Sequence, residues 1–297
     1  MLAAIALAGA TLPASAHHTD AWVPAKGHGS MAAAYQHLYV RYHTLSDGTR
    51  QVPGTIRDRS VFLDLDYGLT DRIALSLGGA FKSNRYLGMP HPPIADDHGE
   101  QFIDDGRYHA GWADWDLGLR YQWRTDPWAI TPFVSYGVPV RDYPTYAHSA
   151  VGTGQKRLEL GVGVGHRFGA PLQNLYFQGA YGYSVMEVVD HRRVNHSTLS
   201  LELGWFLTPR LTARLTVVGQ KTHNGLEFPQ DYQPGVDPEQ LFHHDQNLRN
   251  DFVNVGAGVD YAFNDRTLGF ANVGRTVWGE NTHLIDYAIT VGISRGF

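Results

Sequence analysis

The sequence predicts an all-β chain: a closed antiparallel transmembrane β-barrel of twelve strands, with both termini on the periplasmic side. Three observations predict it. Apolar and polar side chains alternate with a period of two along most of the chain, tight turns alternate with long connections, and aromatic residues gather where strands meet the tight turns. Residues 60–81, SVFLDLDYGLTDRIALSLGGAF, show the alternation: Val61, Leu63, Leu65 and Tyr67 share one face, and Phe62, Asp64 and Asp66 the other. In a water-soluble sheet the apolar face meets a core, whereas in a membrane barrel it meets lipid and the small, polar face lines a lumen. A soluble sandwich also shows alternation with regular turns; the order of the connections decides for the barrel.

Composition sets the outer limits. Mean hydropathy is -0.29, which would read as water-soluble, but barrel strands hide their lipid face in such an average. Outside the N-terminus there is no apolar run of about 18 residues, so no transmembrane helix is expected. The net charge of -5 comes without a basic stripe, which argues against nucleic acid as a partner. With no cysteine, disulfides, thiolate metal sites and CxxCH haem attachment are excluded.

The chain opens with MLAAIALAGATLPASA, a short apolar region followed by Ala14-Ser15-Ala16, an A-x-A cleavage pattern, although the usual positive n-region is missing. Residues 1–16 are therefore expected to be a signal peptide, residues 17–30 a periplasmic segment and residues 31–297 the barrel. Cleavage after Ala16 would leave His17-His18 in front, and an N-terminal histidine can offer its amine and ring nitrogen to copper.

Strands are expected at 31–42, 58–69, 72–82, 111–123, 129–141, 155–168, 174–187, 195–207, 210–221, 249–263, 266–278 and 283–297. The tight connections are Thr70-Asp71, the stretch around Thr125-Asp126-Pro127, Gly169-Ala170-Pro171, Thr208-Pro209 and Asn264-Asp265. The last suits a two-residue primed hairpin. The other connections are mostly long, near 43–57, 83–110, 142–154, 188–194 and 222–248, with a short one near 279–282. The stretch QNLYFQG at 173–179 is like a protease-tag site, yet its alternation continues the seventh strand. Tyr67, Tyr121, Trp123, Phe168, Trp205, Tyr261, Phe263 and Phe297 would form an interfacial girdle at the short turns. In the last strand Tyr287, Ile289, Val291, Ile293 and Phe297 are expected outward, opposite Asp286, Ala288, Thr290, Gly292, Ser294 and Gly296. A terminal Phe after such a strand is similar to the C-terminal signature of bacterial outer-membrane proteins, which implies outer-membrane lipid and the barrel assembly machinery as partners.

The segments DYGLTDRIALSLGGAF, WDLGLRYQW, TPFVSYGVPVRDY, LELGVGVGHRF and DYAITVGISRGF resemble the outer-membrane barrels linked to meta-pathway phenol degradation. The resemblance spans roughly residues 58–297. It implies transport of small organic compounds and supplies no catalytic residues.

Strand phase places Asp64, Asp66, Asp114, Asp116, Arg120, Glu159, Glu202, Arg214, Asp260 and Asp286 toward the lumen, together with Arg41 and Arg275. A charge on the lipid face near the midplane would cost ~2–4 kcal/mol, which favours this phase. A three-residue turn at Leu207-Thr208-Pro209 would set Glu202 opposite Arg214, as a packed ion pair or as a selectivity constriction. Eleven histidines lie in or beside the long loops: His43, His91, His98, His109, His148, His191, His196, His223, His243, His244 and His283. Residues 222–247 add Glu227, Asp231, Asp237, Glu239 and Asp245 without Lys or Arg. Imidazole with carboxylate can capture Zn²⁺ or Cu²⁺, but no H-x3-H or HExxH spacing is present, so no metal ligands and no cofactor are assigned.

No enzyme is expected either. GxxxxGK[ST] is absent, GISRG at 292–296 fits GxSxG in letters only because it ends the last strand instead of forming a strand-to-helix elbow, and the adjacent His196-Ser197 point to opposite faces of a strand. The chain is also too short for a plug domain with a TonB-dependent barrel. The sequence therefore points to an outer-membrane channel or facilitator for passive uptake of small solutes, including aromatic or hydrophobic compounds. The alternatives are a surface metal-binding barrel and a structural barrel with a closed lumen.

Overall fold

The computed structural model describes residues 19–88, 103–145, 148–228, 230–231 and 243–297. The expected signal peptide, His17-His18, His91, His98, Asp237 and Glu239 lie outside the described residues. Strand β1 (Gly29–Thr44) is followed by the two-residue β2 (Arg50–Gln51), then β3 (Gly54–Gly68), β4 (Ile73–Gly88), β5 (His109–Tyr121), β6 (Trp128–Pro139) and β7 (Arg157–Arg167). The series continues with β8 (Leu175–Met186), β9 (His196–Phe206), β10 (Leu211–Thr222), β11 (Asp251–Asn264), β12 (Thr267–Glu280) and β13 (His283–Gly296). Sequence neighbours pair antiparallel throughout, and β13 pairs back onto β1 from Ser30↔Gly296 to His43↔His283. Twelve strands thus close into a barrel, while β2 only folds back on the end of β1.

A closed ladder has no edge, so every strand can satisfy its backbone polar groups without water. The two faces then sort as the alternation requires. In β13, Tyr287, Ile289, Val291 and Ile293 are exposed on the outside, while Ala288, Thr290 and Ser294 are buried inside. In β3, Val61 and Leu63 point outward and Ser60, Phe62 and Asp66 inward. The girdle residues Tyr121, Trp123, Trp205, Tyr261, Phe263 and Phe297 are exposed at the short-turn end, where Phe297 stacks on Tyr67 with ring centroids 6.4 Å apart.

The turns correct the expected geometry in three places. Leu69–Arg72 and Leu207–Arg210 are four-residue loops of one design: the Thr70 hydroxyl accepts from the Arg72 and Ile73 amides, and the Thr208 hydroxyl from those of Arg210 and Leu211. Both motifs read Leu-Thr-x-Arg, so the threonine is a local cap and the turn is longer than its central pair suggested. At the third, Asn264 pairs with Thr267 and its side chain accepts from the Arg266 amide. Neither loop residue there has a positive φ, so the turn is not a primed one.

Two inward assignments also fail. Arg41 is bulged out between Val40↔Ile285 and Tyr42↔Leu284, and its guanidinium lies 5.3 Å from the Tyr42 ring centroid. Arg275 shares the outward face with Val273 and Val277, because Leu268 and Phe270 of the same strand turn inward and fix the opposite phase. Apolar side chains pointing into the bore defeat a rule that sends every apolar residue to lipid.

Two outcomes check this architecture. Unboiled protein should migrate differently from boiled protein on a gel, since detergent finds no open edge in a closed ladder; identical migration of a water-soluble monomer would contradict closure. Leu63→Arg should cut folded membrane yield sharply, at ~2–4 kcal/mol for an outward cation, while Leu63→Phe should leave the yield unchanged.

Candidate functional site: the bore and its two ends

Most of the charges expected in the bore are neutralised in small clusters. Arg120 on β5 is fully buried, and its Nη2 donates to both carboxylate oxygens of Asp66 on β3, at 2.5 and 2.6 Å. Arg214 on β10 is held on three sides. Its Nη1 donates to Glu202 at 3.0 Å, its Nη2 donates to Asn272 at 3.1 Å, and Nη2 lies 2.8 Å from Asp260. Glu202 also accepts from Tyr176 at 2.7 Å and from Gln178 at 3.1 Å. Arg157 pairs with Asp116 at 2.7 Å. Asp114, on a bulge of β5, accepts from Tyr143 of the connection between β6 and β7. Glu159 is buried on β7 and Asp64 is half-buried on the inward face of β3, whereas Asp286, expected in the bore, sits half-buried at a register break of β13 between Tyr39↔Tyr287 and Val40↔Ile285 and has no ladder partner.

The Glu202–Arg214 contact forms in a register other than the expected one. Glu202 stands opposite Thr216, and Arg214 opposite Gly204, so the two are diagonal neighbours. Phe206 pairs with Thr212 instead of Arg210, so five residues lie between paired positions where three were expected; this shifts the register by two, preserves the face, and leaves the arginine to span the diagonal.

The short-turn end of the bore is crossed by the chain itself. Residues 19–27 run from the β7 wall to the β3 wall, inside the ladder. Ala21 is fully buried, and its carbonyl accepts from Thr131 at 2.6 Å and from Gln122 at 2.9 Å. The same Gln122 accepts from the Val23 amide at 3.3 Å. Arg120, already bound to Asp66, gives its other terminal nitrogen to the carbonyls of Asp20 and Trp22, at 3.1 and 3.0 Å. One buried cation therefore ties the strap to two strands. Trp22 packs edge-on against Tyr176, with centroids 6.3 Å apart, and lies under Arg167. A Cβ on Gly165 would meet Ala21 and Trp22 at 2.7 Å, so this strand position must be glycine for the strap to lie against the wall. At the far side the Gly27 amide donates to Gly68 at 2.8 Å before β1 begins.

Sequence reasoning missed the strap. Its signal was the inward row Gly161, Gly163 and Gly165 in β7: small residues on a bore face mark where another backbone approaches. Just beyond the strap the inward wall turns apolar, with Ala34, Phe62, Ala80 and Phe270 in contact and Phe133 buried on β6.

The long-loop end is covered by loops. The 140–156 connection reaches β4, where the Ser149 hydroxyl accepts from the Tyr86 amide at 3.0 Å and Ala150 O accepts from Asn84 at 2.5 Å. Gln246, from the connection before β11, donates to Thr153 O at 2.5 Å. Glu227 is paired with Arg249, just beyond the stretch that lacks basic residues. Among the described residues no three histidines or carboxylates are placed to hold a metal ion. His196 and Ser197 do point to opposite faces. Ser197 instead meets His223 Nε2 at 2.8 Å and the Tyr181 hydroxyl at 2.8 Å on the outer surface, which ties the ends of β8, β9 and β10 together.

No protein-family model and no curated protein matches the sequence. Solved structures do match. The COG4313 outer membrane channel from Pseudomonas putida F1 superposes with a TM-score of 0.68 at 13% identity, covering 94% of this chain and 98% of that one. The translocator domain of the autotransporter NalP from Neisseria meningitidis gives 0.54 at 12% identity, over 92% and 89%. The NanC porin gives 0.51 at 11% identity, over 89% and 98%. The chain has the fold of these outer-membrane barrels. A closed ladder of this kind, with an apolar exterior, belongs to the outer membrane.

The arginine cluster supplies a stability test. Arg214→Ala leaves Glu202 and Asp260 buried without their cation and should cost ~3–5 kcal/mol, read as a lower unfolding temperature. Arg214→Met combined with Glu202→Gln and Asp260→Asn removes all three charges and should recover most of that loss. Equal unfolding temperatures for the native chain and Arg214→Ala would show that the cluster contributes nothing.

Proposed function

We propose that the chain is a passive channel for small solutes across the outer membrane, closed at its short-turn end by its own residues 19–27. One observation carries the reading. Backbone carbonyls of a detachable segment span the bore there, held by Arg120, Gln122 and Thr131. A barrel built only for support could fill its interior with wall side chains; a strap that reaches across the bore and ends at β1 can leave without disturbing the ladder.

In this reading the short turns, both termini and the strap face the periplasm, and the long loops face the outside, as short turns and long loops do in outer-membrane barrels. Residues 1–16 act as the export leader, and the terminal strand with Phe297 is presented to the barrel assembly machinery. The solute is a small aromatic or otherwise hydrophobic compound. The apolar patch of Ala34, Phe62, Ala80 and Phe270 supports this, since a bore meant only for ions would be polar there. The resemblance to barrels linked with phenol degradation points the same way. The paired lumenal charges act as structure on either side of that patch and leave little net field to select ions.

Deleting residues 19–26 should raise single-channel conductance in planar bilayers several-fold and speed uptake of a phenol into vesicles, with the gel shift of the folded barrel retained. Unchanged conductance and uptake in a folded deletion variant would favour the closed structural barrel.

A further inference from the structure

The long-loop end carries a cluster that neither the fold nor the solute path requires. His148 lies at the tip of the 140–156 connection, with its side chain almost fully enclosed. Its Nδ1 is 2.8 Å from Asp104 Oδ2, and Asp104 is itself wholly buried. The same carboxylate accepts from the His148 amide at 3.2 Å and the Ser149 amide at 2.9 Å, so one acidic group binds both ring and backbone of the loop tip. The imidazole stacks on Tyr86 of β4 at 4.5 Å and meets the His283 ring of β13 edge-on at 5.1 Å. His283 in turn meets His43 of β1 at 4.7 Å.

Strand order gives this contact its meaning. The loop leaves β6 and returns to β7, and these lie across the barrel from the β1–β13 seam. A tip that touches His283 therefore spans the mouth. Asn84 and Tyr86 of β4, Gln246 and Asp114 also hold this connection, but the contacts of His148 itself, one ion pair and two ring contacts, are all built from groups that titrate.

We propose that the Asp104–His148 pair, seated on Tyr86 and His283, is a pH-sensitive clasp that holds residues 148–156 of the β6–β7 connection across the long-loop mouth. The inference rests on the channel reading only for its consequence, since the clasp can be observed without any solute. Among the described residues, the titratable and charged groups that face His148 are Asp104 from the segment before β5, Asp245 from the turn before β11, Tyr86 from β4 and His283 from β13, with His43 of β1 behind it.

The direction of the response follows from those groups. Burial opposes the charge on His148, but the hydrogen bond to Asp104 and the charges of Asp245 and Asp104 outweigh it and hold the imidazole above its ordinary pKa. Burial likewise opposes the charge on Asp104, while the bonds from His148 and Ser149 outweigh it and hold the carboxyl below its ordinary range. A raised imidazole stabilises the docked loop below the free imidazole value, and that stabilisation is lost as pH rises through the docked value. A lowered carboxyl stabilises it above the free carboxylate value, and that contribution is lost as pH falls through the docked one. The clasp is closed between these limits.

Amide hydrogen exchange on the full-length protein in detergent tests the clasp directly, because the His148 and Ser149 amides are part of it. Protection of the peptide spanning both amides is measured against a reference amide in β8, from about pH 6 to about pH 9, a span that starts near the ordinary imidazole value and runs above it. The native chain should lose relative protection as pH rises across this span, because the docked imidazole is held above its ordinary pKa. His148→Gln and Asp104→Asn should each start less protected and show a flat profile, with gel mobility reporting that the barrel is folded. A flat profile in the native chain, or the native profile in either folded variant, overturns the proposal. Conductance of the folded 19–26 deletion variant, recorded over the same range, separates the two readings: loss of protection with no change in its current would leave the clasp standing and remove the channel.

Discussion

The pairing of β1 with β13 is the constraint on which the rest of the structure depends. Their ladder, from Ser30↔Gly296 to His43↔His283, turns an open sheet with two unsatisfied edges into a closed one. Closure satisfies the backbone in a medium that offers no water, and it divides the side chains into an inside and an outside. Once that division exists, alternation along each strand has consequences. Outward positions must be apolar across the membrane, so charged residues on the strands collect in the bore, where they need partners.

The bore meets that need with few cations. Arg120 and Arg214 are both fully buried, and each is shared among several acceptors. Arg214 balances Glu202 and Asp260 and binds Asn272, which knits β9, β10, β11 and β12. Arg120 divides its donors between a wall carboxylate and the carbonyls of the strap. That second arrangement makes the strap part of the folded structure while leaving it attached to the wall by hydrogen bonds and the packing of Trp22. Trp22 continues the connection, since its neighbour Tyr176 donates to Glu202 in the other cluster. The strap and the two ion clusters therefore form one continuous network at the short-turn end.

Most of this architecture was legible in the sequence. All twelve barrel strands were placed, because a period of two over ten or more residues is a strong signal and turns of Thr, Asp, Asn and Pro punctuate it. The strand ends were less so: β4 runs on to Gly88, six residues past its expected limit, since polar residues such as Lys82, Ser83 and Asn84 can stay in a ladder above the membrane. Arg41 and Arg275 were misplaced for a related reason. A bulge resets the phase that simple alternation assumes, and inward Leu268 and Phe270 invert the expected polarity. The site was half legible. Residue type and phase identified Asp66, Arg120, Glu202, Arg214 and Asp260 as candidates for the bore, but not who would pair with whom. Register depends on turn length, and Leu-Thr-Pro-Arg hides a four-residue loop. The strap and the His148 clasp join residues about a hundred and about forty positions apart, respectively. No local pattern encodes such contacts.

The sorting of side chains, the ion clusters and the strap all presuppose a closed seam in one register, and a disulfide can report that register. The chain has no cysteine, so an introduced pair stands alone. Ala33 and Ile293 face each other across the seam on the outer surface. Opposed residues on antiparallel strands have Cα atoms roughly 4.5–5.5 Å apart, within the reach of a disulfide. The measurement is the extent of oxidation of Ala33→Cys/Ile293→Cys in folded monomer, compared with Ala33→Cys/Ile289→Cys, which is four residues out of register. The closed barrel predicts near-complete bridging of the first pair and little of the second. Failure of the first pair to bridge in folded protein, or equal bridging of both, would contradict it.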